Sequence, residues 1–389
     1  MKTDCPVCRS VDALPIDRRP RVPVLMNRVY ASPEEARSAR FGTLDIRACG
    51  QCGFAWNSAF DPGLIEYDES YENDQTYSPV FLAHVKSRAA AVVAAIPTDE
   101  PIDYLEIGCG QGRFIAEVAL AGGERCRSLE GFDPAWRGAD GEGSNGSRIY
   151  KCYFDAATSK RLRHKPKVIA TRHTIEHIPD PMSFLRSIRE ALGPDSRAHL
   201  FIETPCIAWV LAHEAMQDLF YEHCSIFASD SLCFALEKSG FRVDKIEHVF
   251  RGQYLWAHAR AAEYFEPAGP AGTSLKDLAG ARERFTARWR GAIEEAYVVG
   301  PVAIWGAGAK GVTFALLVDS EARLIDHAVD INAEKQGLHL AGSGLQVLSP
   351  QRSAERSPKS IFVMNPNYID EIRQIATGAG INARLIPID

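Results

Sequence analysis

The 389-residue chain carries 44 basic against 50 acidic residues, a net charge of −6, with 46% hydrophobic residues. A chain of that length makes two or three domains with cores of their own. No basic stripe is available to neutralise phosphates, which argues against nucleic acid as a partner, and no secretory or membrane-spanning apolar run is found, so the chain reads as cytoplasmic without membrane partners.

The ten cysteines are unevenly spread. Cys5 and Cys8 form one Cys-x-x-Cys, and Cys49 and Cys52 form another. Two such knuckles can place four thiolates around one tetrahedral zinc, with Pro6, Gly50 and Gly53 suiting the tight turns. Redox use of one pair is the runner-up, and disulfides are disfavoured without a signal peptide. Four cysteine ligands leave no position for water, so the zinc is structural. Residues 1–60 read as short strands and turns that need the metal to fold, with Arg18 to Arg21 as a solvated loop. Residues 68–79, acidic and aromatic, read as a loop before a helix.

That helix, residues 80–96, places Phe81, Val85, Ala89, Val92, Val93 and Ile96 on one face. Residues 102–107 form an apolar strand running into Gly108, Gly110 and Gly112, and a helix follows over 113–121. Glycines at such a turn permit positive φ and close approach to a ligand, and the next helix offers free N–H groups. A ligand-free tight turn is the alternative reading. A second strand, 129–132, ends at Asp133, whose two carboxylate oxygens can accept both hydroxyls of a ribose. A third ends near Phe154 and Asp155, where an apolar side chain and an acid bracket an adenine. A fourth, 168–172, leads into His173-Thr174-Ile175-Glu176-His177-Ile178-Pro179-Asp180-Pro181, and a fifth covers 200–203. This alternation of strands and helices predicts a doubly wound α/β fold with a ligand at the strand C-termini.

The run Glu106-Ile107-Gly108-Cys109-Gly110-Gln111-Gly112 resembles motif I of class I S-adenosylmethionine (SAM) methyltransferases, and Arg-His-x-x-Glu-His-Ile-x-Asp-Pro resembles the segment after their fourth strand. The resemblance implies SAM as cofactor, held by Glu106, Gly108, Gly110, Gly112, Asp133, Phe154, Asp155 and His173. His177 and Glu176 read as loop-bracing groups.

After the fifth strand, Tyr221-Glu222-His223-Cys224 sets a Glu-His pair in an aromatic stretch. A histidine with a carboxylate to orient it is what proton transfer requires, although sequence neighbours on a strand point opposite ways and sharing one ligand needs a loop. A packed histidine is the blander alternative. The motif is similar to that of the three-part C-methyltransferases of antibiotic deoxysugar pathways, which resemble this chain over nearly its whole length. The resemblance implies a zinc-binding module (1–75), a SAM domain (76–264) and a linker helix with a second Rossmann-like domain (265–389). It further implies His223 as general base, with Glu222 and Tyr77 in support, acting on a small-molecule acceptor such as a nucleotide-sugar. The sugar enzymes carry a His-Gly-Gly-type turn where this chain reads His248-Val249-Phe250-Arg251-Gly252, which leaves the acceptor open. O- or N-methylation of another small molecule is the alternative.

A boundary rich in Pro and Gly spans 265–272, and a charged amphipathic helix spans 275–297. Gly306-Ala307-Gly308-Ala309-Lys310-Gly311 is a true Gly-x-Gly-x-x-Gly after a strand, with Asp330 ending the next, and read locally it predicts a dinucleotide site and an NAD-dependent oxidoreductase. The resemblance implies instead a domain without a redox cofactor. A monomer or small homo-oligomer is expected.

Overall fold

The computed structural model describes residues 4–67, 71, 74–194, 196–269 and 280–388. The central sheet has seven strands in the order Phe241–Val249, Tyr254–Ala261, His199–Pro205, Val168–Arg172, Ile102–Ile107, Cys126–Phe132 and Arg148–Tyr150. The last five are mutually parallel, while Tyr254–Ala261 runs antiparallel to both of its neighbours. Every residue of Ile102–Ile107 is buried, as a strand covered on both faces must be. The strand order reverses beside it, between Ile102–Ile107 and Val168–Arg172, and that switch point opens a crevice at the strand C-termini.

Local chemistry explains the flanking helices. Pro79–Ala94 starts with Ser78 accepting from the Phe81 N–H and proline at its first turn, and it buries Phe81, Val85, Ala89, Val92 and Val93. Pro181–Leu192 starts the same way, with Asp180 accepting from the Ser183 N–H. The third strand ends at Tyr150, earlier than its expected end near residues 153–155, and the chain from there to Phe154 is a loop.

A second parallel sheet has five strands, ordered Val347–Leu348, Ile325–Val329, Val302–Trp305, Ser360–Val363 and Arg384–Pro387. Its helices include Ala281–Val299 and Ala309–Val318. The linker helix was expected from residue 275, and that start lies outside the described residues.

The N-terminal sheet corrects two expectations. It contains an eleven-residue strand, Ala13–Pro23, paired antiparallel with the nine-residue Phe41–Cys49. The Arg18–Arg21 cluster lies within the first of these, and Arg19 is buried, bonded to Asp17 at 2.7 Å and to the Met216 carbonyl at 3.2 Å. Solvation would have suited a loop; here two backbone carbonyls and a carboxylate replace the water.

The three parts interlock. The strand Ser225–Ile226, from the segment after the fifth central strand, pairs with Ala55–Asn57 and completes the N-terminal sheet. Val29–Tyr30 pairs with His339–Leu340 of the C-terminal part. No helix among the described residues is long and apolar enough to cross a membrane.

Candidate active site

A cavity of about 680 Å³ lies where the three parts meet, within the size range of small-molecule pockets, roughly 300–1,000 Å³. One wall is the glycine turn. Gly110 has φ +53°, and a Cβ built there would meet nothing within 4 Å, so its side-chain direction is open space in the cleft. Gly108 differs, since a Cβ there would sit 2.1 Å from Thr174 Oγ1. The first glycine is required for packing, and the second leaves the cleft open.

Asp133 lines the same wall and accepts from the Gly110 N–H at 2.7 Å and the Ala135 N–H at 2.8 Å. Burial raises its pKa, opposed by these two N–H groups. Each oxygen retains a second lone pair for a ligand hydroxyl. Glu106 is buried, and its Oε2 has no hydrogen-bond partner among the described residues. Burial pushes its pKa up to about 8 against the pull of Arg172. Arg172 instead bonds Glu203 at 2.7 Å. Burial works against the Glu203 carboxylate, but Arg172 and His84 together hold it well below its ordinary range.

Phe154 lines the cleft with its ring edge-on to Phe132 at 5.3 Å. His173 lines it too, at φ +50° and edge-on to Tyr254 at 4.6 Å. Asp155 does not reach the cleft. It is exposed and spent on the N–H groups of Ala157 and Thr158, because the third strand ends early and the chain needs a turn there. Gln111, Tyr153 and Thr174 also line the cavity and were not singled out in the sequence. Gln111, inside the glycine run, was the one with a local signal.

The opposite wall gathers titratable groups. His223 lines the cavity, packed 3.9 Å from the Phe220 ring and edge-on to His177 at 5.0 Å. Burial depresses its pKa well below the ordinary value, with His177, His173 and Lys310 adding to the effect, so the ring is neutral and free to accept a proton. The expected partnership with Glu222 is absent. Glu222 is fully buried and accepts from the Met26 N–H and the Tyr71 hydroxyl, each at 2.6 Å. Burial raises its pKa to about 7. The carboxylate beside His223 is Glu176: one of its oxygens and one ring nitrogen each of His177 and His223 lie within 4.8 Å of one another.

Tyr77 is on the rim, 43% exposed. The tyrosines that reach this cluster are Tyr67, whose hydroxyl is 2.9 Å from His177 Nδ1, and Tyr71. Both line the cavity. Their neighbours at positions 68–70, 72 and 73 lie outside the described residues. His177 also bonds the Glu222 backbone, so it braces the loop as expected.

The C-terminal glycine turn opens onto the same cleft. Asp330 accepts from the Ala307 N–H at 2.7 Å and the Asn332 N–H at 2.9 Å, repeating the geometry at Asp133. Asn365 and Gln253 bond each other reciprocally at 3.1 Å across the joint between the seven-stranded and five-stranded sheets.

The four cysteines of the N-terminal part converge. Cys5 and Cys52 Sγ are 3.6 Å apart and Cys8 and Cys49 Sγ 3.5 Å. That is far longer than a disulfide at about 2.05 Å and near the roughly 3.8 Å edge of a tetrahedron with zinc–sulfur bonds of about 2.3 Å. The two knuckles match: Arg9 and Gly53, each four residues after the first cysteine of its pair, take positive φ and donate to that cysteine's carbonyl. The donor set fits zinc.

Residues 81–246 match a family described as "Methyltransferase domain", and residues 283–383 match one described as "C-methyltransferase C-terminal domain". This is a SAM-dependent methyltransferase. The methyltransferase is 24% identical over 390 residues to C-methyltransferase NovU of Streptomyces niveus, covering 95% of this chain and 91% of that one, and so resembles the three-part C-methyltransferases over nearly its whole length. Among solved structures, 1,6-didemethyltoxoflavin-N1-methyltransferase of Burkholderia thailandensis, with S-adenosylhomocysteine bound, is 18% identical at a TM-score of 0.34, covering 46% of this chain and 79% of that one. The magnesium protoporphyrin IX methyltransferase of Synechocystis PCC 6803 is 14% identical at 0.34, covering 47% and 84%. The strand order described above, rather than these partial overlaps, carries the fold assignment.

Proposed function

We propose that this methyltransferase transfers its methyl group to a carbon beside a ketone in a small-molecule acceptor, with a nucleotide-linked ketosugar as the class best suited. The observation that carries this reading is one cleft with a cofactor turn on one wall and a neutral, buried histidine on the other. SAM supplies an electrophilic methyl group. Gly110 admits it closely in a turn that Gly108 and Gly112 shape, Asp133 takes its ribose hydroxyls, Phe154 and His173 border its base and reacting end, and Glu106 faces its positive charges.

His223 removes the acceptor proton as general base, and a hydroxyl from Tyr71 or Tyr67 steadies the enolate oxygen. Glu222 supports this at one remove by holding Tyr71, and Tyr77 closes the rim. Confinement between the sheets aligns carbon and methyl, and alignment supplies much of the rate. Cys5, Cys8, Cys49 and Cys52 hold a structural zinc away from the chemistry. The name of NovU and the C-methyltransferase description of the C-terminal match support carbon as the acceptor atom.

The test is calorimetric SAM binding together with turnover of a nucleotide-linked ketosugar. His223→Ala should bind SAM as the wild type does and lose turnover by about a hundredfold or more. Exchange of the acceptor's α-proton in D₂O, run with S-adenosylhomocysteine, should disappear in the same variant. Unchanged turnover would remove His223 from the mechanism, and methylation without α-proton exchange would favour oxygen or nitrogen as the acceptor atom.

A further inference from the structure

Two complementary groups near the acceptor wall are left without partners. Glu176 is fully buried; its Oε2 accepts from Thr204 Oγ1 at 3.1 Å, while its Oε1 has no hydrogen bond among the described residues. The Nδ1 of His223 is likewise buried without one. A carboxylate oxygen of Glu176 and a ring nitrogen of His223 lie within 4.8 Å of each other. The unsatisfied oxygen and the unsatisfied nitrogen belong to side chains that approach this closely, and a small rotation or one water joins them.

Of the neighbouring groups, His177 and Glu222 are already committed. His177 is held by the Tyr67 hydroxyl and the Glu222 backbone. Both oxygens of Glu222 are occupied by Met26 N and Tyr71. His173 Nδ1 approaches Glu176 Oε1 at 3.4 Å without a hydrogen bond, and its Nε2 is buried without one among the described residues. The loops bearing Glu176 and His223 are pinned together by Ser225 Oγ, which donates to the Ile178 carbonyl at 2.7 Å.

We propose that Glu176, and not the adjacent Glu222, is the positioning carboxylate of this site: it takes the Nδ1–H of His223 and leaves Nε2 as the basic nitrogen facing the acceptor. Which ring nitrogen carries the proton is set by the hydrogen bond the other one makes. Since Nδ1 is enclosed, Nε2 is the nitrogen that can meet a ligand in the cleft. Nε2 takes the proton from the acceptor carbon, and the C–H pair moves into the enolate. A C–C bond then forms as the bond between methyl and sulfur breaks. The imidazolium charge left on His223 sits against Glu176. The proposal rests on the reading of His223 as base given above.

The experiment is long-range ¹H–¹⁵N spectroscopy of the histidine rings in the full-length protein with S-adenosylhomocysteine near neutral pH, with His223 assigned by its loss in His223→Gln. The wild type should show His223 as the Nδ1–H tautomer. Glu176→Gln should let the Nε2–H form appear, Glu176→Asp should restore the wild-type spectrum, and Glu222→Gln should leave it unchanged. An Nε2–H ring in the wild type, an unaltered ring in Glu176→Gln, or the same change in Glu222→Gln would each overturn the proposal. Should Glu176→Gln fail to fold, the wild-type spectrum alone still decides. Calorimetry on the same samples separates the two claims: failure of the wild type to bind S-adenosylhomocysteine would sink the reading of the cleft, whereas intact binding with the wrong tautomer would sink Glu176 alone.

Discussion

Gly110 holds positive φ with nothing near its missing side chain, so substituting it costs twice. A β-branched residue is strained there, and its methyl groups occupy the cofactor's space. Gly110→Val should weaken SAM binding by about a hundredfold or more, and wild-type affinity by calorimetry would refute the placement. Glu106 makes a second prediction. Its folded pKa of about 8 lies above the ordinary 4.5. The folded state therefore keeps a proton that the unfolded state has released, and this group's contribution to stability is lost as pH rises between those values. SAM brings an ammonium and a sulfonium, which favour the carboxylate, so binding near neutral pH should release up to about one proton and tighten toward pH 8. Binding enthalpy should vary with buffer ionisation enthalpy, and Glu106→Gln should abolish that dependence. The placement of Gly110 and Asp133 on the cleft wall was legible in the sequence, because it depends on chain-local geometry. The direct pairing of Glu222 with His223 was misread from their adjacency, whereas the fold turns the Glu222 carboxylate toward Met26 and Tyr71. Glu176 had no local signal, since only the tertiary fold brings its loop against the one bearing His223.

At the scale of elements, periodic helices and apolar strands were readable. The helix expected over 80–96 is Pro79–Ala94, and the strand expected over 102–107 is Ile102–Ile107. The N-terminal strands were not readable: Pro15 and the arginine cluster obscure their alternation, and the ladder shifts register between Pro15 and Asp17 and between Arg19 and Val22. The cysteine knuckles fasten one end of that ladder, since Cys49 ends the strand Phe41–Cys49. Elemental analysis should give one zinc per chain. Cys52→Ser, by opening the tetrahedron, should speed amide exchange in Ala13–Pro23 and Phe41–Cys49 by about tenfold or more. A metal-free protein with full protection would count against a structural zinc.

On the scale of the whole molecule, the seven-stranded and five-stranded sheets meet through a buried amide pair. Removing one partner leaves the other amide unsatisfied, so Gln253→Leu and Asn365→Leu should each lower resistance to urea by about 1–3 kcal/mol, while the double substitution recovers much of that loss. Trp305, which lines the cleft beside this joint, is a fluorescence probe for the measurement, and additive losses in the double variant would show that the pair is not coupled. The sheets themselves were expected from alternating strands and helices, but their mutual placement was not, because it rests on side chains far apart in the chain.

The pairing of Ser225–Ile226 with Ala55–Asn57 bears on how chains of this kind can be recombined. The histidine-bearing segment takes its backbone support from a unit encoded some hundred and seventy residues earlier, so a chimera with a foreign N-terminal piece inherits a mismatched seat for it. Grafts that carry residues 220–227 together with the N-terminal unit should keep that seat intact, and grafts cut at the apparent domain border should lose it.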